Sequence, residues 1–141
     1  MIKLTTLHSK VVNYPSTILL YNILKERLSI MSLRSQLLKG ILDGCVLSVI
    51  EKEPIYGYEL SKKLQAAGLQ DVSEGTIYPV LLRLQKNGLI RGEMQPSVSG
   101  PNRKYYFLTE SGRETLAAIA LEWEQVVVPV NVLLKRGKDN D

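Results

Sequence analysis

A mainly α-helical fold carrying one small β-hairpin is predicted by three observations on the 141-residue sequence. Apolar residues recur at three- and four-residue spacing in successive short segments punctuated by Pro54, Gly68 and the pair Asn87-Gly88. Two strand-like runs, "LIRGEM" at 89–94 and "RKYYFLT" at 103–109, flank the turn-rich "QPSVSGPN". A final apolar stripe then continues from Leu116 to Leu134. With 45% hydrophobic and 23% charged residues, the chain suits one modest core or two small lobes.

Residues 1–30 place lysines ahead of apolar residues, as a targeting segment would. Asn13, Pro15 and Asn22 interrupt the run, no small-residue cleavage site follows, and the apolar stretches fall short of the roughly twenty residues of a membrane span. "TILLYNILKERL" within them is expected to form a short amphipathic helix. Continuous periodicity starts only at Met31. Residues 1–30 are therefore read as an N-terminal extension, and two readings stay open: a native, disordered segment, or an artefact upstream of an internal start at Met31. No membrane partner is expected.

From Met31 the elements follow quickly. Leu37, Leu38, Ile41, Leu42, Cys45, Val46, Val49 and Ile50 predict a first helix, ended before Pro54. "YGYELSKKLQAAG" predicts a second, with Leu60 and Leu64 one turn apart and Gly68 as its left-handed stop. Asp71 and Ser73 supply turn and cap chemistry for a third, in which Ile77, Val80, Leu81 and Leu84 line one face before Asn87 and Gly88. Its other side carries Gly75, Thr76, Pro79, Leu82, Arg83 and Lys86, with Tyr78 at the margin. That side has few acids for a solvated face.

Three helices and a hairpin, in this order, predict a winged helix-turn-helix over residues 31–109. In that fold the third helix enters the DNA major groove and the wing touches the flanking backbone or minor groove. Such a helix meets bases with its first turns, so Gly75 permits close approach and free backbone N–H groups can receive a phosphate. Pro79 leaves two alternatives. With Ser73 as N-cap it lies inside the helix and kinks it; with Thr76 as N-cap the helix starts late and its missing N–H costs nothing.

Charge is distributed to match. The chain carries a net +4 with a pI near 9.2. Residues 75–105 hold Arg83, Lys86, Arg91, Arg103 and Lys104 against Glu93 alone, a local stretch suited to a polyanion, whereas acids outnumber bases after residue 110. Cys45 is the single cysteine and His8 the single histidine, so no disulfide framework, metal cluster or cofactor is expected. Neither a paired acid and base nor a phosphate-cradling loop is present, and no catalytic residue is assigned. Cys45 reads as a small buried hydrophobe.

The last segment, 110–134, reads as one helix capped by Thr109. Leu116, Ile119, Ala120, Trp123, Val126, Val127, Val130, Leu133 and Leu134 form a stripe longer than a wing domain can cover, and a second copy of the helix is its natural cover. Pro129, with the preceding valines, predicts a kink or an early stop. Residues 135–141 are expected to be a disordered tail. Trp123 at mid-stripe suits a dimer core.

"YGYELSKKL", "SEGTIYPVLLRLQKNGLI" and "GPNRKYYFLTESGRE" stand in the order and at the separations of PadR-like transcriptional regulators, and the chain resembles that family over roughly residues 36–128. The resemblance implies a homodimeric, cytoplasmic bacterial repressor of the family's smaller subtype, binding double-stranded DNA through a winged helix and dimerising through a single C-terminal helix. It implies that Tyr56 and Tyr58 match the family's "YGYE" element, Thr76, Tyr78 and Pro79 its recognition helix, and Arg103 and Lys104 its wing. It further implies that Trp123 lines a cavity between protomers and stacks on a planar aromatic effector. Two departures stand out: Leu82 occupies a position where a polar residue is commoner, and Phe107 one that alternation turns outward. The expected function is that of a ligand-responsive repressor acting on an inverted-repeat operator. A winged helix serving as a protein–protein interaction module is the alternative.

Overall fold

The computed structural model describes residues 16–135, and of residues 29–32 the backbone alone. His8, the first half of the N-terminal extension and the tail beyond Lys135 lie outside the described residues. The chain divides into two compact units, 1–39 and 40–141.

The first unit holds α1, Ser16–Leu38, a 23-residue helix. It is neither short nor amphipathic. Ile18, Leu19, Leu20, Tyr21, Leu24 and Leu33, all exposed, project in every direction at 100° per residue, because apolar residues come two and three in a row. The helix also passes Met31 without a break. Its boundary falls at residues 39–41, around Gly40, so the single helix expected over 37–50 is two: Leu37 and Leu38 belong to α1, and Leu42 onward to α2.

The second unit runs α2 (Leu42–Lys52), β1 (Ile55–Tyr56), α3 (Gly57–Ala66), α4 (Glu74–Lys86), β2 (Ile90–Ser97), β3 (Gly100–Leu108) and α5 (Glu110–Leu134). Its three-stranded antiparallel sheet has the order β1-β3-β2. The hairpin is as expected but longer, and β1, only two residues, had no periodicity to announce it. Ile55 pairs with Tyr106, and Ile90 with Leu108. Strand alternation puts Ile55, Ile90 and Tyr106 on the inner face, where they meet Val46, Leu47 and Ile50 of α2, Leu60 and Leu64 of α3, Val72, and Ile77, Val80, Leu81 and Leu84 of α4 in one core.

Both middle helices end alike. Gly68 and Gly88 take positive φ, +114° and +74°, and the following N–H turns back to the last turn, Leu69 to the Leu64 carbonyl at 3.0 Å and Leu89 to the Leu84 carbonyl at 2.9 Å. Ser73 caps α4, its Oγ accepting from the Thr76 N–H at 3.4 Å. Pro79 therefore sits inside the helix and leaves the Gly75 carbonyl without a helical donor. A Cβ at Gly75 would meet only the Ser73 Oγ, at 3.7 Å, so the glycine keeps this turn open on its outer side.

α5 runs unbroken through Pro129 to Leu134, contrary to the expected early stop. The proline costs one hydrogen bond, to the Gln125 carbonyl, on an exposed helix where water can replace the donor. The base of α5 is fastened to the end of α4. Thr109 accepts from the Gly112 N–H at 3.0 Å, donates its own hydroxyl to the Gly88 carbonyl at 2.7 Å, and donates its N–H to the Leu89 carbonyl at 3.1 Å. Gly112 is buried, and a Cβ there would overlap the Leu89 carbonyl oxygen. Further along, Ile119 rests on Gly44 of α2, where a Cβ would lie 2.6 Å from its Cγ2.

Beyond Ile119, α5 is almost bare. Leu121, Trp123, Val126, Val128, Val130, Val132, Leu133 and Leu134 are exposed, and Leu121, Val128 and Val132 lie off the predicted stripe. Among the described residues α5 is the one helix long and apolar enough to cross a membrane by length and composition. Glu122 and Glu124 interrupt it at its middle.

Candidate nucleic-acid interface

α4 presents its residues as its pattern dictates. Ile77, Val80, Leu81 and Leu84 are buried, and Gly75, Thr76, Tyr78, Pro79, Leu82, Arg83 and Lys86 are exposed. The Thr76 hydroxyl stays 3.3 Å from Ser73 Oγ, so this side chain is shared between capping and solvent. Leu82 is 70% exposed, so burial does not account for an apolar residue there.

Tyr78 is only half free. Its ring lies against the buried Gly57, where an added Cβ would come within 3.3 Å of Cε1. Gly57 stands between Tyr56 and Tyr58, so the first turns of α4 and the β1–α3 junction form one surface. There Tyr56 and Tyr58 stack with centroids 6.4 Å apart, and Tyr105 meets Tyr56 at 5.6 Å in a tilted arrangement. Register explains the gathering: Tyr56 pairs with Tyr105 across β1–β3, and Arg103, two residues earlier on β3, shares that outer face. The Arg103 guanidinium lies over the Tyr56 ring at 4.5 Å.

The remaining basic residues divide. Arg83 is turned aside, its guanidinium paired with Asp43 of α2. Lys86 sits on the exposed last turn of α4. Lys104 projects from the opposite face of β3, its stem over Gly92 and its ammonium 5.7 Å from the Tyr106 ring. Phe107 is turned outward as alternation requires, and Arg91, its cross-strand partner, covers it at 4.4 Å while also pairing with Glu93. The structure thus brings Tyr56, Tyr58, Tyr78 and Arg103 together and leaves Arg83 and Lys104 to either side. Sequence reasoning missed Lys62, Tyr105 and Asp43. Lys62 lies one turn after Tyr58, and its ammonium stands 5.2 Å over that ring, so an i, i+4 reading of α3 would have found it.

The described residues include no cluster of three or more His, Cys, Asp or Glu able to hold a metal. Burial pushes the Cys45 thiol above its usual range, opposite to an activated cysteine.

The model of the transcriptional regulator PadR-like family matches residues 46–118, from the middle of α2 into α5. The chain belongs to the PadR-like family of transcriptional regulators. A PadR-like regulator from Bacillus cereus, solved by crystallography, is 50% identical and superposes with a TM-score of 0.65 over 72% of this chain and 99% of that one. A transcriptional regulator of Mycobacterium tuberculosis is 40% identical over 62 residues, 44% of this chain and 56% of its own. Bacillus subtilis PadR, solved in complex with operator DNA, is 25% identical, with a TM-score of 0.51 over 55% of this chain and 45% of that one. PadR-like proteins are regulators and not enzymes, consistent with the absence of catalytic chemistry from the sequence reading.

Within this PadR-like frame, Trp123 is 47% exposed on the isolated chain, as are its stripe neighbours Val126 and Val130 at 48% and 41%. Leu116 and Val127 are half-buried, Ala120 is exposed, and Ile119 is already seated on the chain's own α2. The stripe read from the sequence therefore serves two ends. Its first turns pack within the chain, and the stretch from Ala120 onward is open.

Proposed function

We propose that this PadR-like chain binds duplex DNA as a homodimer in the cytoplasm and represses transcription from an inverted-repeat operator. The observation that carries the reading is the surface shared by the exposed first turns of α4 and the Arg103–Tyr56–Tyr58 cluster of the wing and α3. Two α4 helices set about 34 to 36 Å apart suit half-sites one helical turn apart. Thr76 and Tyr78 are the candidates for base contact, and Gly75 and Pro79 shape the approach. Arg103, Lys104, Lys86 and Arg83 supply positive charge along the backbone. The operator complex of the related Bacillus subtilis protein supports the assignment of DNA as the partner.

The open half of α5 supports the dimer, because so many exposed large apolar side chains exceed what a monomer's surface carries. A second α5 covers them better than lipid. Glu122 and Glu124 would each cost about 2.5 to 3.5 kcal/mol at a bilayer centre, on the scale for charged residues. Trp123 is then both the anchor of that interface and a face on which a planar aromatic effector can stack. An effector releases DNA only if it binds the DNA-incompetent dimer more tightly.

The test compares binding to a selected operator duplex and to a mixed-sequence duplex at several salt concentrations. Thr76→Ala and Tyr78→Ala should erase discrimination while leaving the salt dependence intact. Duplex binding without sequence preference and without a salt slope would instead favour the interaction-module reading, for which the exposed Leu82 in the middle of the α4 face is the supporting feature.

A further inference from the structure

Arg103, Tyr56, Tyr58 and Lys62 form an alternating row. The Arg103 guanidinium lies 4.5 Å from the Tyr56 centroid, Tyr56 and Tyr58 are nearly parallel at 18° and 6.4 Å, and the Lys62 ammonium lies 5.2 Å from the Tyr58 centroid. The row crosses from β3 through β1 to α3, so it ties the wing to the helix that precedes α4. Lys62 is exposed and has no carboxylate in ion-pair range among the described residues, whereas the next residue, Lys63, is bound to Glu53. One of two adjacent lysines is therefore spent on the fold, and the other is left facing solvent over an aromatic ring.

We propose that Lys62 is a phosphate contact, and that it works with Arg103 at the two ends of this row as a rail along one DNA backbone, with Tyr58 as the residue that positions it. The ligand chemistry follows from what the rings already do. Aromatic platforms for single strands need open faces on which bases stack. Here a guanidinium covers Tyr56 and an ammonium covers Tyr58, so the cations are what the row offers to a ligand. A cation held over a ring loses less side-chain freedom on meeting a phosphate than a lysine free in solvent. In a helix-turn-helix the helix before the recognition helix is the one that crosses the backbone, and α3 holds that place.

The inference rests on the duplex-binding reading, and the experiment separates the two. Binding of a mixed-sequence DNA duplex is measured by fluorescence anisotropy from about 50 to 200 mM salt for the full chain and for Lys62→Ala, Lys62→Arg and Tyr58→Leu. Lys62→Ala should lower the log–log slope by about 0.9, shrinking the affinity ratio between those salt concentrations by about threefold, and Lys62→Arg should restore it. In the Tyr58→Leu background, Lys62→Ala should have a smaller effect than in the wild type. A wild-type protein with a steep salt slope that Lys62→Ala leaves unchanged overturns the rail and spares the duplex reading. A wild-type protein without salt-dependent duplex binding overturns both. Tighter binding of a single-stranded oligonucleotide of the same length would show that bases displace the cations from the rings, and would overturn the rail as well.

Discussion

The Arg83 guanidinium has two claimants, the Asp43 carboxylate and a DNA phosphate. Its side chain is 51% exposed and that of Asp43 32%, so their pairing is worth no more than about 1 kcal/mol after screening by solvent. A phosphate can displace so weak a partner. Asp43→Asn is therefore expected to strengthen duplex binding by releasing Arg83 and removing a negative charge beside α4, whereas Arg83→Ala should weaken it and flatten the salt slope by about 0.9. Equal affinities and slopes for wild type and Asp43→Asn would restrict Arg83 to tying α2 to α4. Single residues also mark where the sequence is legible. Strand alternation alone turns Phe107 outward, and the pair Asn87-Gly88 alone ends α4. The partner of Arg83 lies 40 residues away in sequence and could not be read without knowing how α2 and α4 cross.

Among the elements, α4 accepts a defect in its own backbone. Pro79 inside the helix forgoes the bond to the Gly75 carbonyl, a feature that ordinarily costs a helix up to about 3 kcal/mol. Pro79→Ala should restore that bond and raise the melting temperature, while the altered first turns lose affinity for operator duplex relative to mixed-sequence duplex. A lower melting temperature would mean that the fixed φ of the proline stabilises this helix more than the missing bond weakens it. The question of which residue caps α4 had no answer in the sequence, because Ser73 and Thr76 have the same chemistry three residues apart. α1 and α5 differed for another reason. A moderate break such as Pro129 is outweighed by the helix on both sides of it, and a run of mixed apolar residues such as "TILLYNILKERL" forms a helix without forming a face.

At the scale of the whole second unit, one buried phenol and one half-buried thiol make stability depend on alkaline pH. Burial raises the Tyr106 phenol above its usual value, with a smaller contribution from Tyr78, and burial likewise raises the Cys45 thiol. In the unfolded chain both groups keep their ordinary values and lose their protons first. Over that interval the native state binds more protons, so stability is intact at neutral pH and declines as pH climbs through about 9 and onward past 10. Urea midpoints taken between about pH 7.5 and 10.5 should fall over this window, and Tyr106→Phe with Cys45→Ala should flatten the fall. A midpoint that falls equally in the double variant would place the titration elsewhere. The larger consequence comes from the base of α5, where Thr109 and Gly112 grip the Gly88-Leu89 turn that ends α4 without slack. Twenty-five residues make α5 a lever about 37 Å long at 1.5 Å per residue. Its fulcrum is the end of the helix that would read DNA. A tilt of about 5° displaces the far end of such a lever by roughly 3 Å. Read in the other direction, a planar molecule only one ring thick, wedged near Trp123 about 20 Å from the base, would correspond to a rotation of about 10° at α4.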